Sequence, residues 1–216
     1  MLRGIEAVLR CEGRYGVDSS AFPLRELLTA TLVGGSLYGL AMGSFGLRPL
    51  QCAYSAIKVP LLLLVSTVIC LPSFFAVNTV LGLRDEFRAA LRGVLAAQAT
   101  FAVTLLSLAP LTLVAYLTVE RYPLPNFING VQFALATVAA HVTLRRHYDP
   151  LVRRERRHKV ARFAWLFFYV FVAIQMAWVL RPFIGHPGLP VAFFREDAWT
   201  NAYVQILRLI ATTLGW

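Results

Sequence analysis

The chain has 216 residues, of which 58% are hydrophobic and 15% charged, with 21 basic against 11 acidic side chains and a formal net charge of +10. That balance excludes an ordinary water-soluble domain, whose surface needs far more polar groups. No aromatic stacking platform or recognisable binding module accompanies the basic excess, so nucleic acid is excluded as a partner too.

Within residues 1–24, Leu2, Ile5, Val8 and Leu9 recur at helical spacing among Arg3, Glu6 and Arg10, the pattern of a short amphipathic helix on a membrane surface. Charges throughout this stretch leave no uninterrupted apolar core, so it does not read as a cleavable signal peptide. Five apolar stretches follow, at 27–46, 59–81, 91–119, 127–144 and 160–184. A hydrocarbon core of about 30 Å takes about 20 residues of helix, and each stretch reaches or approaches that length. The expected fold is all-α, a polytopic transmembrane bundle of five helices with short amphipathic N- and C-terminal helices. Residues 1–24 form the cytoplasmic segment, 25–185 the transmembrane domain, and 186–216 an outer-face extension with an interfacial helix. Fifteen of the 21 basic residues fall in alternate loops on one side. Short loops rich in Lys and Arg stay cytoplasmic, which places the N-terminus inside and the C-terminus outside. Arginine dominates over lysine, pointing to a GC-rich bacterial genome and so to a bacterial inner membrane.

In the first span Gly35, Gly39 and Gly43 repeat every four residues. Small residues at that spacing leave a groove that lets another backbone approach closely, belonging either to this chain or to another subunit. Pro60 and Pro72 in the second span and Pro110 in the third each remove a helical donor. Residues 82–92 read as a turn and the start of the third span, where Asp85 and Glu86 favour a helix N-terminus. Beyond the fourth span, residues 145–159 form the densest charge run. Arg153, Arg154, Arg156, Arg157 and Lys159 are candidate contacts to anionic headgroups or an acidic partner, at about 1 kcal/mol each near the surface. The same charges also serve as a topology signal that needs no ligand.

Asn78, Gln98, Gln132, His141 and Gln175 are the polar side chains expected inside the spans. None is an acid, and no Asp, Glu or Lys is expected well within a span, which lowers ion-coupled transport. The histidines are too scattered for a metal or haem site, and no nucleophile–base pair or phosphate loop emerges, so neither cofactor nor catalysis is expected. After the fifth span, Gln175, Trp178 and Arg181 recur every third residue, followed by Pro182, Pro187, Pro190 and Trp199. Arg181, Trp199 and Trp216 are candidate outer-face contacts. They belong either to an interfacial arginine and aromatic belt, or to an ordered platform in which Arg181 pairs with Glu196 or Asp197 and folds 201–216 back onto the bundle.

The stretch Gly82-Leu-Arg-Asp-Glu-Phe-Arg-Ala-Ala-Leu-Arg-Gly-Val-Leu95, entering a helix with Pro110, resembles the Yip domain family of five-helix membrane proteins. The resemblance covers the second to fourth spans. It implies a cytosolic N-terminus, a non-cytosolic C-terminus and action through protein contacts in membrane trafficking; no site residue carries over. The expected function is that of a non-catalytic accessory or scaffold subunit of a larger inner-membrane assembly. Its expected partners are membrane lipids, other membrane subunits or further copies of itself. The alternative is a small transporter or channel for a neutral or lipid-like solute, lined by Asn78, Gln98, Gln132 and Gln175.

Overall fold

A computed structural model describes residues 23–118, 123–186, 188–196 and 198–205. The expected N-terminal amphipathic helix and most of the C-terminal one, with Trp216, lie outside the described residues. Five long helices run in sequence: α1 (Leu24–Gly43), α2 (Pro49–Val80), α3 (Phe87–Thr118), α4 (Pro123–Arg154) and α5 (Arg157–Leu180), with no strand among the described residues. By length and composition α2 to α5 can each cross a membrane. The chain is a multi-pass membrane protein built as a helical bundle.

The helices run past their apolar stretches. α2 starts ten residues before the expected boundary at 59, which brings Lys58 into its third turn. α4 continues through the charge run to Arg154, with Pro150 inside it, so most of the expected loop is helix and only two residues separate α4 from α5. α5 instead ends at Leu180, ahead of the expected 184, because Pro182 holds Arg181 in the extended region. The physical reason for the extensions of α2 and α4 is that apolarity marks the hydrocarbon thickness, whereas a helix continues into the headgroup layer wherever packing supports it.

Short connections make neighbouring helices antiparallel, so two ends can be distinguished. The basic end carries the α2–α3 and α4–α5 connections, and the opposite end carries the chain after α5, residues 181–205, here termed the strap. α1 packs between α2 and α3, while α4 adds to α3 and α5 to α2. Three apolar clusters fill the bundle among the described residues, the smallest joining Leu27 of α1 to Leu95, Ala96 and Ala99 of α3. Near the strap end Tyr38, Met42, Val59, Leu105, Ala136 and Ile184 come together. Near the basic end Phe74, Val94, Leu144, Tyr148, Leu151 and Trp165 join α2, α3, α4 and α5.

Glycine sets the closeness of α1 to its neighbours. A Cβ on Gly39 would lie 2.3 Å from the Ser55 carbonyl oxygen, one on Gly43 2.7 Å from Cys52 Cα, and one on Gly35 3.3 Å from Pro60 Cα. The three glycines therefore face α2. Gly34 faces the other way, where an added Cβ would meet the Ala102 carbonyl oxygen of α3 at 3.0 Å. Lipid tails are as apolar as leucine, so association of membrane helices depends on such van der Waals closeness rather than on the hydrophobic effect. The expected first span is not among the helices apolar enough to cross a membrane, because the glycines, Thr31 and Tyr38 of α1 take up its buried face.

Candidate functional site

The densest long-range polar contacts lie between the strap and the first three turns of α2. Arg48, Gln51, Ser55 and Lys58 are three, four and three residues apart, which places them on one helix face. Arg48 Nη1 donates to the carbonyls of His186 (3.1 Å) and Leu189 (2.8 Å). Gln51 Nε2 donates to those of Pro182 (3.2 Å) and Phe183 (3.0 Å). The Ser55 hydroxyl also donates to Phe183, and Lys58 Nζ donates to Pro182 at 2.8 Å. A proline-rich strap cannot pair its own carbonyls as a helix does, and a buried, unpaired carbonyl is costly near a membrane. The α2 face supplies the missing donors. The Lys58 side chain is fully buried, and its ammonium sits 4.8 Å from the Phe193 ring centroid, a cation–π contact that offsets part of its desolvation.

α5 holds the returning chain at a second line. Gln175 Nε2 donates to the Thr200 carbonyl (3.1 Å), and its Oε1 accepts from the Ala202 amide (2.9 Å). Trp178 Nε1 donates to Thr200 Oγ1 at 3.0 Å. Tyr203 stacks on Phe171 with ring centroids 4.5 Å apart and donates to the Phe171 carbonyl; burial pushes its phenol above the usual range. Arg181 lies over the Trp178 ring, with the guanidinium carbon 3.3 Å from the centroid. The strap is thus an ordered cap across the ends of α2 and α5. Trp199 stands largely exposed beside Phe194.

The other polar residues of the spans are dispersed. Gln132 accepts from Tyr38 and from Thr112, both at 2.7 Å, and Tyr38 also reaches Asn129, which donates to Tyr116. This small network joins α1, α3 and α4 near the strap end. Gln98 accepts from Tyr169 of α5 at 3.1 Å, and Asn78 donates back to the Phe74 carbonyl in its own helix. His141 is exposed on α4. Gln98, Gln132, Gln175 and Asn78 are therefore committed to four different sets of partners and do not come together on one path. Interhelical hydrogen bonds of this kind average about 0.6 kcal/mol in membranes, so their value lies in register more than in strength.

At the basic end, part of the charge run turns inward. Fully buried His158 pairs through Nε2 with Glu86, which also lies 3.8 Å from Arg154. Arg157 Nη1 donates to the Leu81 carbonyl at 3.2 Å, just ahead of Gly82, whose φ of +75° ends α2 in the left-handed region. Arg162 lies 3.7 Å from Asp149. Arg153, Arg156 and Lys159 remain on the exposed side. Glu86→Ala removes the acid that His158 and Arg154 share. Because that carboxylate is 32% exposed, the expected loss is about 1–3 kcal/mol rather than the larger cost of a fully buried pair. Thermal unfolding in detergent checks this, with Glu86→Gln, which retains a hydrogen-bond acceptor, recovering part of the loss.

The residues that sequence reasoning missed are Arg48, Gln51, Ser55 and Lys58 on α2, Tyr38 and Asn129 in the network, and the Glu86–His158 pair. The α2 row carried a usable signal, namely polar side chains on a single face of a helix that is otherwise apolar. His158 carried none, since Glu86 lies 72 residues away. Among the described residues no group of three or more His, Cys, Asp or Glu is placed to hold a metal ion. No family model matches the chain, and neither a curated protein nor a solved structure is similar to it.

Proposed function

We propose that this protein is a non-catalytic subunit of a larger assembly in a bacterial inner membrane, with its basic end in the cytoplasm and its strap on the periplasmic side. The observation that carries the proposal is the open face of α5. Only 11% of its apolar window is buried, against 28–44% for α2, α3 and α4. Phe163 and Phe167 stand four residues apart on that face, each more than half exposed. Aromatic rings offer wide, rigid contact area at low entropic cost, which suits them to a protein neighbour. The inward commitment of Gln98, Gln132 and Gln175 favours this role over solute passage. The resemblance of residues 82–95 to the Yip domain family, whose members act through protein contacts, points the same way. Arg153, Arg156 and Lys159 would then meet anionic headgroups or an acidic cytoplasmic partner.

Native mass spectrometry after mild solubilisation tests the proposal. The expected result is a stoichiometric protein partner or a homo-oligomer, lost in the Phe163→Ala, Phe167→Ala double variant while its melting temperature stays within a few degrees of the parent. Release of the parent protein as a lone, stable monomer would overturn the proposal.

A further inference from the structure

We propose that the end of the strap, from Asn201, re-enters the bilayer along α5, and that its outward face meets lipid acyl chains rather than water or headgroups. This course is deeper than the interfacial one expected from the sequence. α5 is 24 residues long, about 36 Å, and so covers a hydrocarbon core of about 30 Å. The contacts of the returning chain move step by step down this helix. Thr200 meets Trp178 and Gln175, Ala202 meets Gln175, and Tyr203 meets Phe171, nine residues before the helix ends at Leu180. With a rise of about 1.5 Å per residue, Tyr203 lies about 13 Å below that end, near the middle of α5.

Hydrocarbon admits backbone only where its polar groups are satisfied, and this turn meets that condition from within the chain. Gln175 serves two groups, donating to the Thr200 carbonyl and accepting from the Ala202 amide. Asn201 acts as an N-cap, its Oδ1 accepting from the Tyr203 amide (2.9 Å) and its carbonyl from the Gln205 amide (3.2 Å). The Tyr203 phenol is satisfied by the Phe171 carbonyl. A turn lying in the headgroup layer would need none of the Gln175 contacts, because water would serve its amide and carbonyl. Side chains follow the same rule. From Ala198 to Leu207 the sequence has no charged residue, and Val204, 42% exposed, turns an apolar group outward. Trp199, exposed and next to Thr200, stands by the last turns of α5, where tryptophan marks the boundary between membrane and water. The inference goes beyond the subunit role and needs no protein partner. Tyr203 takes Phe171 and leaves Phe163 and Phe167, nearer the basic end, to a neighbour.

The test is spin-label accessibility in proteoliposomes, with single cysteines placed in the full chain after Cys11, Cys52 and Cys70 are changed to alanine. A nitroxide at Val204→Cys should be reached by oxygen in preference to a water-soluble nickel chelate. The ratio should be about fivefold or more above that at Leu189→Cys on the strap, and close to that at Val68→Cys, an exposed position within α2. Gln175→Ala should move the Val204 reading toward that of Leu189 and leave Val68 unchanged. A Val204 ratio equal to that of Leu189 without the Gln175 change overturns the proposal. Low access for both reagents would mean a protein neighbour at Val204 and overturns it as well. A Val204 reading that stays deep in Gln175→Ala overturns the role given to Gln175. Should the cysteine-free chain fail to fold, Cys70, whose thiol is buried, is retained. Depth at Val204 is read whether or not Phe163→Ala, Phe167→Ala alters assembly, so either proposal can fail without the other.

Discussion

Replacing Gly39 with alanine should destabilise the bundle by about 3 kcal/mol or more, at or above the upper end of the range for overpacked cores. The added methyl would lie 2.3 Å from the Ser55 carbonyl oxygen, 2.7 Å from its carbon and 2.8 Å from Ala56 Cα. All three atoms are backbone, so no rotamer change relieves the contact and α1 or α2 must move as a whole. Graded controls come from the same chain. Gly43→Ala meets Cys52 Cα at 2.7 Å and should cost somewhat less, while Gly35→Ala meets Pro60 at 3.3 Å and should cost least of the three. Gly130→Ala meets nothing within 4 Å and should be silent. Thermal unfolding of the four variants in one detergent checks the order. A Gly39→Ala protein that melts with the parent would refute the close α1–α2 contact.

Lys58→Met should release the strap while leaving the helices packed. The substitution removes the 2.8 Å bond to the Pro182 carbonyl and the cation–π contact to Phe193, yet methionine fills similar space. A hydrogen bond from a charged group contributes about 1.5–3 kcal/mol, so the population of the detached strap should rise about tenfold or more. Cleavage of a transiently open segment follows that population when closing is fast. Limited trypsin digestion after Arg195 should therefore speed up by about the same factor. The melting temperature should change little, because an ammonium no longer has to be desolvated at a buried site. Lys58→Arg should show an intermediate rate. An unchanged cleavage rate in Lys58→Met would show that the strap is held by Arg48, Gln51 and Ser55 without Lys58.

That the chain is a bundle of long helices, and which connections share an end, were legible from hydropathy and charge alone, because both are local properties; of the five expected spans, four are apolar enough to cross a membrane, and α1 is not among them. Helix ends were not legible. Lys58 reads as a boundary residue in a one-dimensional profile, since the profile registers its charge and not the carbonyl of Pro182 that accepts it. The row Gln175, Trp178 and Arg181 was legible as a stripe. Which backbone groups they meet depended on the path of a proline-rich segment, which no periodicity specifies. The glycine repeat specified a groove without naming the helix that fills it. The pairing of Glu86 with His158 is a tertiary coincidence of two connections at the same end of the bundle, invisible to any window of sequence.

The placement of α1 between α2 and α3 has a consequence for biogenesis. Of the five long helices α1 is the one not apolar enough by composition to cross a membrane, and its glycines and buried hydroxyls lie on the face that packs inward. Partition into the bilayer is decided by side-chain transfer energies when a helix stands alone, and by composition α1 falls short where α2 to α5 do not. Its stable residence depends on the α2 backbone covering Gly35, Gly39 and Gly43. The two segments should therefore leave the insertion machinery together as a hairpin, with α1 waiting at the lateral exit until α2 arrives. Residence of α1 in the membrane is then decided by α2 rather than by α1 itself.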